Sequence, residues 1–416
     1  MKGRPWLQNH PRPRKQTTGA RKQLPVLQDP REDYSIWDII KPNLGKDFSR
    51  FAVPVWLNEP LSFLQRLAEV MQYQELLEKA AAQEDPVERM SLVGAYVVSA
   101  LSSNFCRLSK PFNPLLLETF ELEQDGYRFV AEQVSHHPPI SAIYAEGPSF
   151  IMEATVSPKI SFGFNKLTCY PGATYKLTLK NRQEEYIYDG PTCSIYNVMM
   201  GKMYMNVTGN AKITCEKSGL TMQLSFDGGK GWHFKTIDVH LDGYILEGKT
   251  KLRAVYGNWT YFFATCAVDS FKHEYSAYQQ LFRESLDPYT FKATKVPMFV
   301  DSKVLWTANQ QLSDLEKQFR FTYFSLSLNE MTVEQTRLLP PTDSRRRQDM
   351  KAYENGRLEE AENWKSKLET EQRRRRKEGE AQQPRWFSFD GTSWTFNGQY
   401  WNRNWDMSPA IFEVEN

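Results

Sequence analysis

Two adjacent histidines, His136 and His137, are the residues of this 416-residue chain best placed to do chemistry. They follow an alternating run, Tyr127 to Val134, that reads as a β-strand, and precede two prolines, Pro138 and Pro139. Along a regular strand the two rings face opposite ways. Neither proline donates a backbone N–H, so the pair is expected to stop the ladder and bend the chain. Such a bend brings both imidazoles to one rim, where their N–H groups serve an anion, with phosphate the natural guest. On these residues alone, a structural histidine pair is the alternative reading. The other histidines are His10, His233, His240 and His273, no H-x-x-x-H spacing occurs, and no cysteine lies closer than Cys106 and Cys169. No metal site is therefore expected. No G-x-S-x-G turn supplies a nucleophile for a histidine base, so neither enzyme activity nor a cofactor is expected.

The elements that must position this pair are strands. From Phe120 to about Cys266 short alternating runs recur, separated by Gly, Asn, Asp and Pro. The runs are Tyr127–Val134, Phe150–Val156, Lys159–Phe164, Thr174–Leu179, Glu185–Tyr188, Lys202–Val207, Ala211–Cys215, Thr221–Phe226, Thr236–Leu241, Tyr244–Leu246, Leu252–Tyr256 and Trp259–Ala264. Close spacing with short turns means antiparallel sheet, and this many strands predict a barrel. A barrel of more than about ten strands encloses more volume than its side chains fill, which points to a ligand cavity. No repeat of propeller length is present.

Ahead of the strands, Glu59 to Ala82 reads as a helix. Asp85-Pro86 opens a second one, predicted to run to about Leu108. Tyr34 to Phe48 reads as a short amphipathic helix capped by Asp33 or Ser35, which must cover something apolar. Met1 to Asp29 is basic and proline-bearing and reads as a disordered arm, drawn weakly to anionic membranes or merely passive. After the strands, Phe271 to Val300 reads as a connection and Phe319–Leu328 as a strand. Leu339 to Ser344 reads as a turn, and Asp349 to about Glu380 as a charged helix broken at Asn355-Gly356. The tail from Pro384, with Trp386, Trp394, Tyr400, Trp401 and Trp405, reads as ordered. On the late helix, Lys365, Glu369 and Arg373 fall at i, i+4 and i+8 on one face.

Composition narrows the classes. Apolar residues make up 40%, charged residues 25% and aromatics 13%, which is globular with ample core material. A net charge of +2 gives no bulk attraction to nucleic acid, so no nucleic-acid partner is expected. The five cysteines are odd in number and scattered, which favours reduced thiols and a cytosolic location. No apolar run approaches a membrane span, no signal-peptide core is present, and glycine stands at position 3 rather than 2. Contact with membranes is expected to be peripheral and reversible.

Glu132 to Ala142, EQVSHHPPISA, is similar at every position to the signature of the oxysterol-binding-protein-related family, E-[KQ]-x-S-H-[HR]-P-P-x-[STACF]-A. Lys110 to Glu118, KPFNPLLLE, resembles a second family motif, K-P-x-N-P-[FL]-L-G-E, with Leu117 at the usual glycine. Lys365 to Arg373 resembles the element K-x-x-L-E-x-x-Q-R, and Gln348 precedes Asp349 where relatives carry proline. The texture of Glu59–Leu67 and Asp85–Met90 is nearest the branch of oxysterol-binding protein-related proteins 1 and 2. No pleckstrin-homology or ankyrin segment is expected ahead of the domain. Phe262-Phe263-Ala264-Thr265 lies in a strand and is not a receptor-binding motif.

The resemblance implies a lipid-transfer domain, mainly β with α. Its large incomplete antiparallel barrel encloses a lipid tunnel, with an N-terminal lid helix, a helical plug and a C-terminal helical subdomain. The implied division is an arm at 1–30, a lid at 31–54, a helical layer at 55–118, the barrel at 119–330 and the last subdomain at 331–416. It implies that Lys110, Asn113, His136, His137, Lys365, Glu369 and Arg373 hold a phosphoinositide headgroup. Phe48, Ser49, Arg50, Phe51, Ala52 and Val53 are implied to touch it partly through backbone groups. The implied cargo is a sterol (cholesterol or an oxysterol) exchanged for phosphatidylinositol 4-phosphate or a bisphosphate, one lipid at a time. The implied places are contact sites of the endoplasmic reticulum, plasma membrane or endosome. Alternatives are a ligand-gated sensor or scaffold, and phosphatidylserine in place of sterol. No protein partner is indicated.

Overall fold

The alternating runs build one long antiparallel meander. A computed structural model describes residues 7–9, 21–28, 41, 53–226, 239–275, 295–309, 312–378 and 383–414. Among them, twelve strands form a single sheet in which each pairs with its neighbour in the sheet's chain order. They are β1 (Thr119–Gln124), β2 (Tyr127–His136), β3 (Pro139–Glu146), β4 (Phe150–Val156), β5 (Ala173–Leu179) and β6 (Glu184–Asp189). They continue as β7 (Asn210–Cys215), β8 (Leu220–Ser225), β9 (His240–Glu247), β10 (Thr250–Asn258), β11 (Phe262–Cys266) and β12 (Lys303–Thr307). The edges β1 and β12 do not pair with each other, so the barrel is incomplete. The β1 edge is instead closed by the chain near Thr342, whose carbonyl accepts from the Thr119 N–H at 2.9 Å.

Two hairpins leave this sheet and return to it. Lys159–Gly163 with Lys166–Tyr170 is inserted between β4 and β5, and Thr192–Tyr196 with Tyr204–Thr208 between β6 and β7. They pair with each other, Cys193 opposite Cys169, into a separate four-stranded sheet. Both interruptions occur between strands that pair directly in the meander.

Helices cover one end. α1 (Phe63–Ala68) and α2 (Glu75–Ala81) precede α3 (Pro86–Ser99), which lies against β8, β11 and β12. Asp85 caps α3 and Pro86 occupies its first turn, as the sequence implies. On the C-terminal side stand α4 (Tyr323–Ser327), α5 (Val333–Leu338), α6 (Gln348–Glu354) and α7 (Leu358–Lys377). The expected break at Asn355-Gly356 separates α6 from α7, with Gly356 at φ 74°. The aromatic tail packs Trp386, Phe387 and Tyr400 on Val130, Val134 and Ala142 of β2 and β3.

Several expectations are overturned. The double proline does end β2 at His136 and bend the chain, but Pro139 itself begins β3 and pairs with His136 across a hairpin tip. A proline at a strand's first residue removes no bond that the sheet needs. Glu59–Ala82 is not one helix. Asn58–Ser62 is a strand paired in parallel with Lys110–Phe112, and Ser62 and Gln65 form a capping box that starts α1 only there. α3 ends at Ser99 rather than near Leu108, because Ser99 and Ser102 hydroxyls donate back to the carbonyls of Tyr96 and Ser99, each at 2.7 Å. Phe319–Leu328 is no strand: Phe319 and Arg320 take left-handed φ values of 52° and 54°, and Thr322 caps α4. His240 and Leu241, from the described end of the expected run Thr236–Leu241, share one strand, β9, with the run expected over Tyr244–Leu246.

The basic arm also departs from expectation where it is described. Leu7–Asn9 pairs with Lys295–Pro297. Leu24 is buried, its N–H donating to Gln318 at 3.0 Å, and Arg21 pairs with Glu354. Apart from Lys41, the amphipathic helix of Tyr34–Phe48 lies outside the described residues, as do the positions Phe48 to Ala52.

Candidate functional site: a cationic mouth on an apolar hollow

Three segments distant in sequence meet at one cavity of about 310 Å³. It is lined by Lys110, Asn113, His136, His137, Lys365, Glu369 and Arg373, so all seven implied headgroup positions converge. Val53, the one described member of the 48–53 stretch, lines it too.

Each segment is held by buried polar bonds. Lys110–Phe112 is fixed by Asn58, whose amide donates to the carbonyls of Lys110 and Pro111 at 3.1 and 3.2 Å. Behind it lies Arg347, fully paired in the interior. It donates to Glu118 at 2.8 Å, to Asp349 at 2.7 and 3.0 Å, and to the Asn113 carbonyl at 2.8 Å. Glu118 in turn accepts from the Leu115 N–H at 2.9 Å. Leu117 occupies the left-handed region at φ 68°. That conformation costs a non-glycine residue about 1–2 kcal/mol. Its side chain is buried, which contributes a similar or larger amount, about 1.5–3 kcal/mol, so glycine is not required here.

The histidine pair sits at the β2–β3 tip, with ring centroids 4.5 Å apart and planes 62° from parallel. Gln372 of α7 contacts His136 Nε2 at 3.0 Å and accepts from the Leu116 N–H at 2.7 Å, tying the helix to both motifs. On α7, Glu369 bridges two cations, Lys365 at 3.0 Å and Arg373 at 3.3 Å. Lys110 contacts the side-chain oxygen of Asn113. Glu132, first residue of the signature, points away and accepts from the N–H groups of Arg385 and Trp386 at 2.9 and 3.0 Å. Its burial pushes the carboxyl up to about 7. It anchors the aromatic tail rather than the mouth.

Burial, then His137 and Arg376, hold the His136 imidazole down to about 4, so it is neutral near pH 7 and acts as a hydrogen-bonding group. Burial and the neighbouring Lys365 hold Lys110 down to about 8. An anion in the cavity favours the ammonium, so the bound pKa lies above the empty one and binding takes up a proton between the two. Affinity for an anionic headgroup is therefore full below about pH 7. Above pH 8 it falls by up to about tenfold per unit. Phosphoinositide extraction measured at pH 7, 8 and 9 checks this, with Lys110→Arg expected to flatten the profile.

A second cavity of about 420 Å³ lies beside it. It shares Val53, Phe63, Lys110, Pro111, Ile160 and Cys169 with the first, so the two adjoin across common walls. Its walls are apolar, from Leu67, Val97, Leu101, Tyr188 and Met205. The inserted four-stranded sheet supplies one side. Burial pushes the Cys193 thiol up to about 12 and raises Cys169, so this wall stays uncharged. At the far end, Arg107 pairs with Glu59 at 2.7 Å and with Glu69 at 2.6 Å.

Sequence reasoning missed Arg347, Gln372 and Arg376, which also line the mouth. Gln372 carried a signal, since it stands in the motif quoted for α7. Arg376 falls three residues beyond Arg373, on the helix face that faces the cavity. Among the described residues no group of three or more His, Cys, Asp or Glu is placed to hold a metal ion, and no helix is long and apolar enough to cross a membrane.

Comparison with known proteins agrees with this geometry. The family described as Oxysterol-binding protein matches residues 35–405. Oxysterol-binding protein-related protein 1 of Homo sapiens is 36% identical over 94% of this chain, which spans 44% of that relative. The chain thus covers under half the length of some curated relatives. Oxysterol-binding protein-related protein 2 of Mus musculus is 35% identical over 94% of the chain and 88% of its own length. Among solved structures, the Osh3 ORD in complex with PI(4)P from Saccharomyces cerevisiae superposes with a TM-score of 0.77 at 31% identity, covering 92% of this chain and 95% of that one. The Osh1 ORD domain in complex with cholesterol gives 0.79 at 30% identity, covering 92% and 91%. Matched through a family pattern over most of its length and through relatives of the same architecture, the chain belongs to the oxysterol-binding protein family.

Proposed function

We propose that the chain carries one lipid at a time between membranes, exchanging a sterol for a phosphoinositide. The observation that carries this reading is the adjacency of a cationic, imidazole-bearing mouth and an apolar hollow that share walls. A phosphoinositide headgroup is multiply charged, and its partial burial requires cations and N–H donors. Lys110, Lys365, Arg373 and Arg376 supply the charge, against the single carboxylate Glu369. Asn113, His136 and His137 supply neutral polar contacts. Glu369 orients Lys365 and Arg373. The inner walls take an acyl chain or a sterol, whose exposure to water costs roughly 25 cal/mol per Å².

The solved relatives bound to PI(4)P and to cholesterol support both cargoes. Because the two cavities share walls, both lipids compete for one hollow. The segment 31–54 as lid, the cytosolic location and service at membrane contact sites belong to the same proposal. Fluorescent sterol transfer between two liposome populations is expected to accelerate severalfold when the acceptor carries phosphatidylinositol 4-phosphate, with that lipid moving the other way. Sterol transfer indifferent to the phosphoinositide, or simultaneous occupancy seen by native mass spectrometry, removes the exchange. Ligand-dependent partner binding without transfer favours a sensor.

A further inference from the structure

The two inserted hairpins end in an apolar tip that is left uncovered among the described residues. Phe164 is 87% exposed and Met200 70% exposed, the one at the tip of the first hairpin and the other in the loop of the second. Single exposed apolar residues are ordinary on a protein surface, but these two are held together. Asn165 binds the second loop from both ends of its amide. Its Oδ1 accepts from the N–H groups of Met199 and Met200 at 2.7 and 3.2 Å, and its Nδ2 donates to the Met200 carbonyl at 3.3 Å. The tip is thus pre-ordered, and little conformational freedom is left to lose on docking. Beneath it, Val198 packs with Ile160, Phe162, Leu167 and Ile195. Ile160, Leu167, Ile195 and Val198 also line the inner cavity. The cluster between the two loops therefore also forms part of the cavity wall.

Charge identifies the partner. Residues 157–172 and 190–209 contain Lys159, Lys166 and Lys202, and no Asp or Glu. The whole chain has 50 acidic residues, so two acid-free stretches of this length in one structural unit form a distinctly positive patch. Tyrosines stand beside the lysines: Tyr170 is exposed, Tyr196 and Tyr204 stack at 5.0 Å, and Lys166 lies 4.8 Å from the Tyr196 ring. Lys166 and Lys202, with Tyr196 and Tyr204, flank the two loops, while Lys159 and Tyr170 pair at the far end of the first hairpin. This mixture of apolar, aromatic and basic groups has the composition of a membrane–water interface. Lysines near an anionic leaflet add about 1 kcal/mol each.

We propose that the Phe164–Met200 tip is a docking point for an anionic lipid bilayer, seating the wall of the hollow against the membrane. This rests on the reading of the hollow as a lipid carrier and adds the surface by which it meets the donor or acceptor.

The test is co-sedimentation of the full chain with phosphatidylcholine vesicles, with and without phosphatidylserine. Phe164→Asp with Met200→Ser is expected to weaken binding to the anionic vesicles by roughly tenfold or more, from the loss of two inserted apolar side chains. Lys159→Gln, Lys166→Gln and Lys202→Gln together are expected to erase the preference for phosphatidylserine and its salt sensitivity. Sterol loading from a soluble cyclodextrin complex remains at the parent level in the Phe164/Met200 variant, because neither residue lines the hollow. Parent-like sedimentation of that variant overturns the proposal. So does a parent that self-associates through these residues, seen as a fall in oligomer mass in the variant. Failure of the carrier reading is distinguishable, because it shows as absent sterol loading in parent and variant alike.

Discussion

Replacing both imidazoles, His136→Ala with His137→Ala, is expected to reduce phosphoinositide extraction from liposomes by a hundredfold or more while leaving sterol extraction near the parent level. The two rings sit edge to face at the β2–β3 tip, 4.5 Å apart, and both line the cavity that holds Lys110, Lys365 and Arg373. A hydrogen bond to a charged group contributes about 1.5–3 kcal/mol, so two lost together amount to roughly a hundredfold or more in affinity. A sterol carries no anion, and the proposed function seats it on the apolar walls of the second cavity, which the substitutions do not touch. The paired outcome matters. Equal loss of both lipids points to a damaged hairpin, which near-parent melting rules out. Unimpaired phosphoinositide extraction removes the histidines from the headgroup site altogether.

The second large effect concerns stability. Arg347→Met is expected to destabilise the fold by about 3–5 kcal/mol, read as a fall in melting temperature and in the urea midpoint. The guanidinium is buried among Glu118, Asp349 and the Asn113 carbonyl, and those carboxylates push its pKa further up. Removing it leaves two carboxylates uncompensated in the interior and frees the loop from Asn113 to Leu117. Adding Glu118→Gln and Asp349→Asn is expected to restore part of the loss, since the stranded charges then disappear. A single variant as stable as the parent contradicts the buried network. Arg347→Lys is not an adequate substitute, because one ammonium cannot serve two carboxylates and a carbonyl in the same plane.

Much of the site was readable from residue types. Adjacent histidines before two prolines announced a rim of donors, and the i, i+4, i+8 spacing on α7 placed Lys365, Glu369 and Arg373 on one face. Neither showed that these faces meet, because nothing local encodes the approach of residues more than two hundred positions apart. The resemblance to a family supplied that juxtaposition. Arg347 was missed for a physical reason: in sequence it is one of three consecutive arginines, Arg345 is buried as deeply, and only the fold shows which of them reaches the cavity.

The strands were legible where one face is buried and the other is not, as in β4, whose residues alternate along its length. Alternation misled at Phe319–Leu328, where the apolar side chains meet the core from a left-handed turn and a short helix instead. It also failed at β3. A proline at the first position reads as a stop, yet a strand can begin there without losing a required bond. Glu59–Ala82 had helical texture throughout, but the Ser62–Gln65 box fixes a start that periodicity alone does not place.

The way the hairpins join the meander has a consequence for how this architecture changes over time. β4 bonds to β5 and β6 bonds to β7 whether or not the intervening chain is long. Lengthening or shortening either excursion by pairs of residues leaves every rung of the main ladder in register. The hollow's girth and depth are thereby uncoupled from the framework that keeps the molecule folded. Cargo preference can drift through these two excursions, under selection for what they enclose, while the strands of the main sheet that line neither cavity stay under selection for stability.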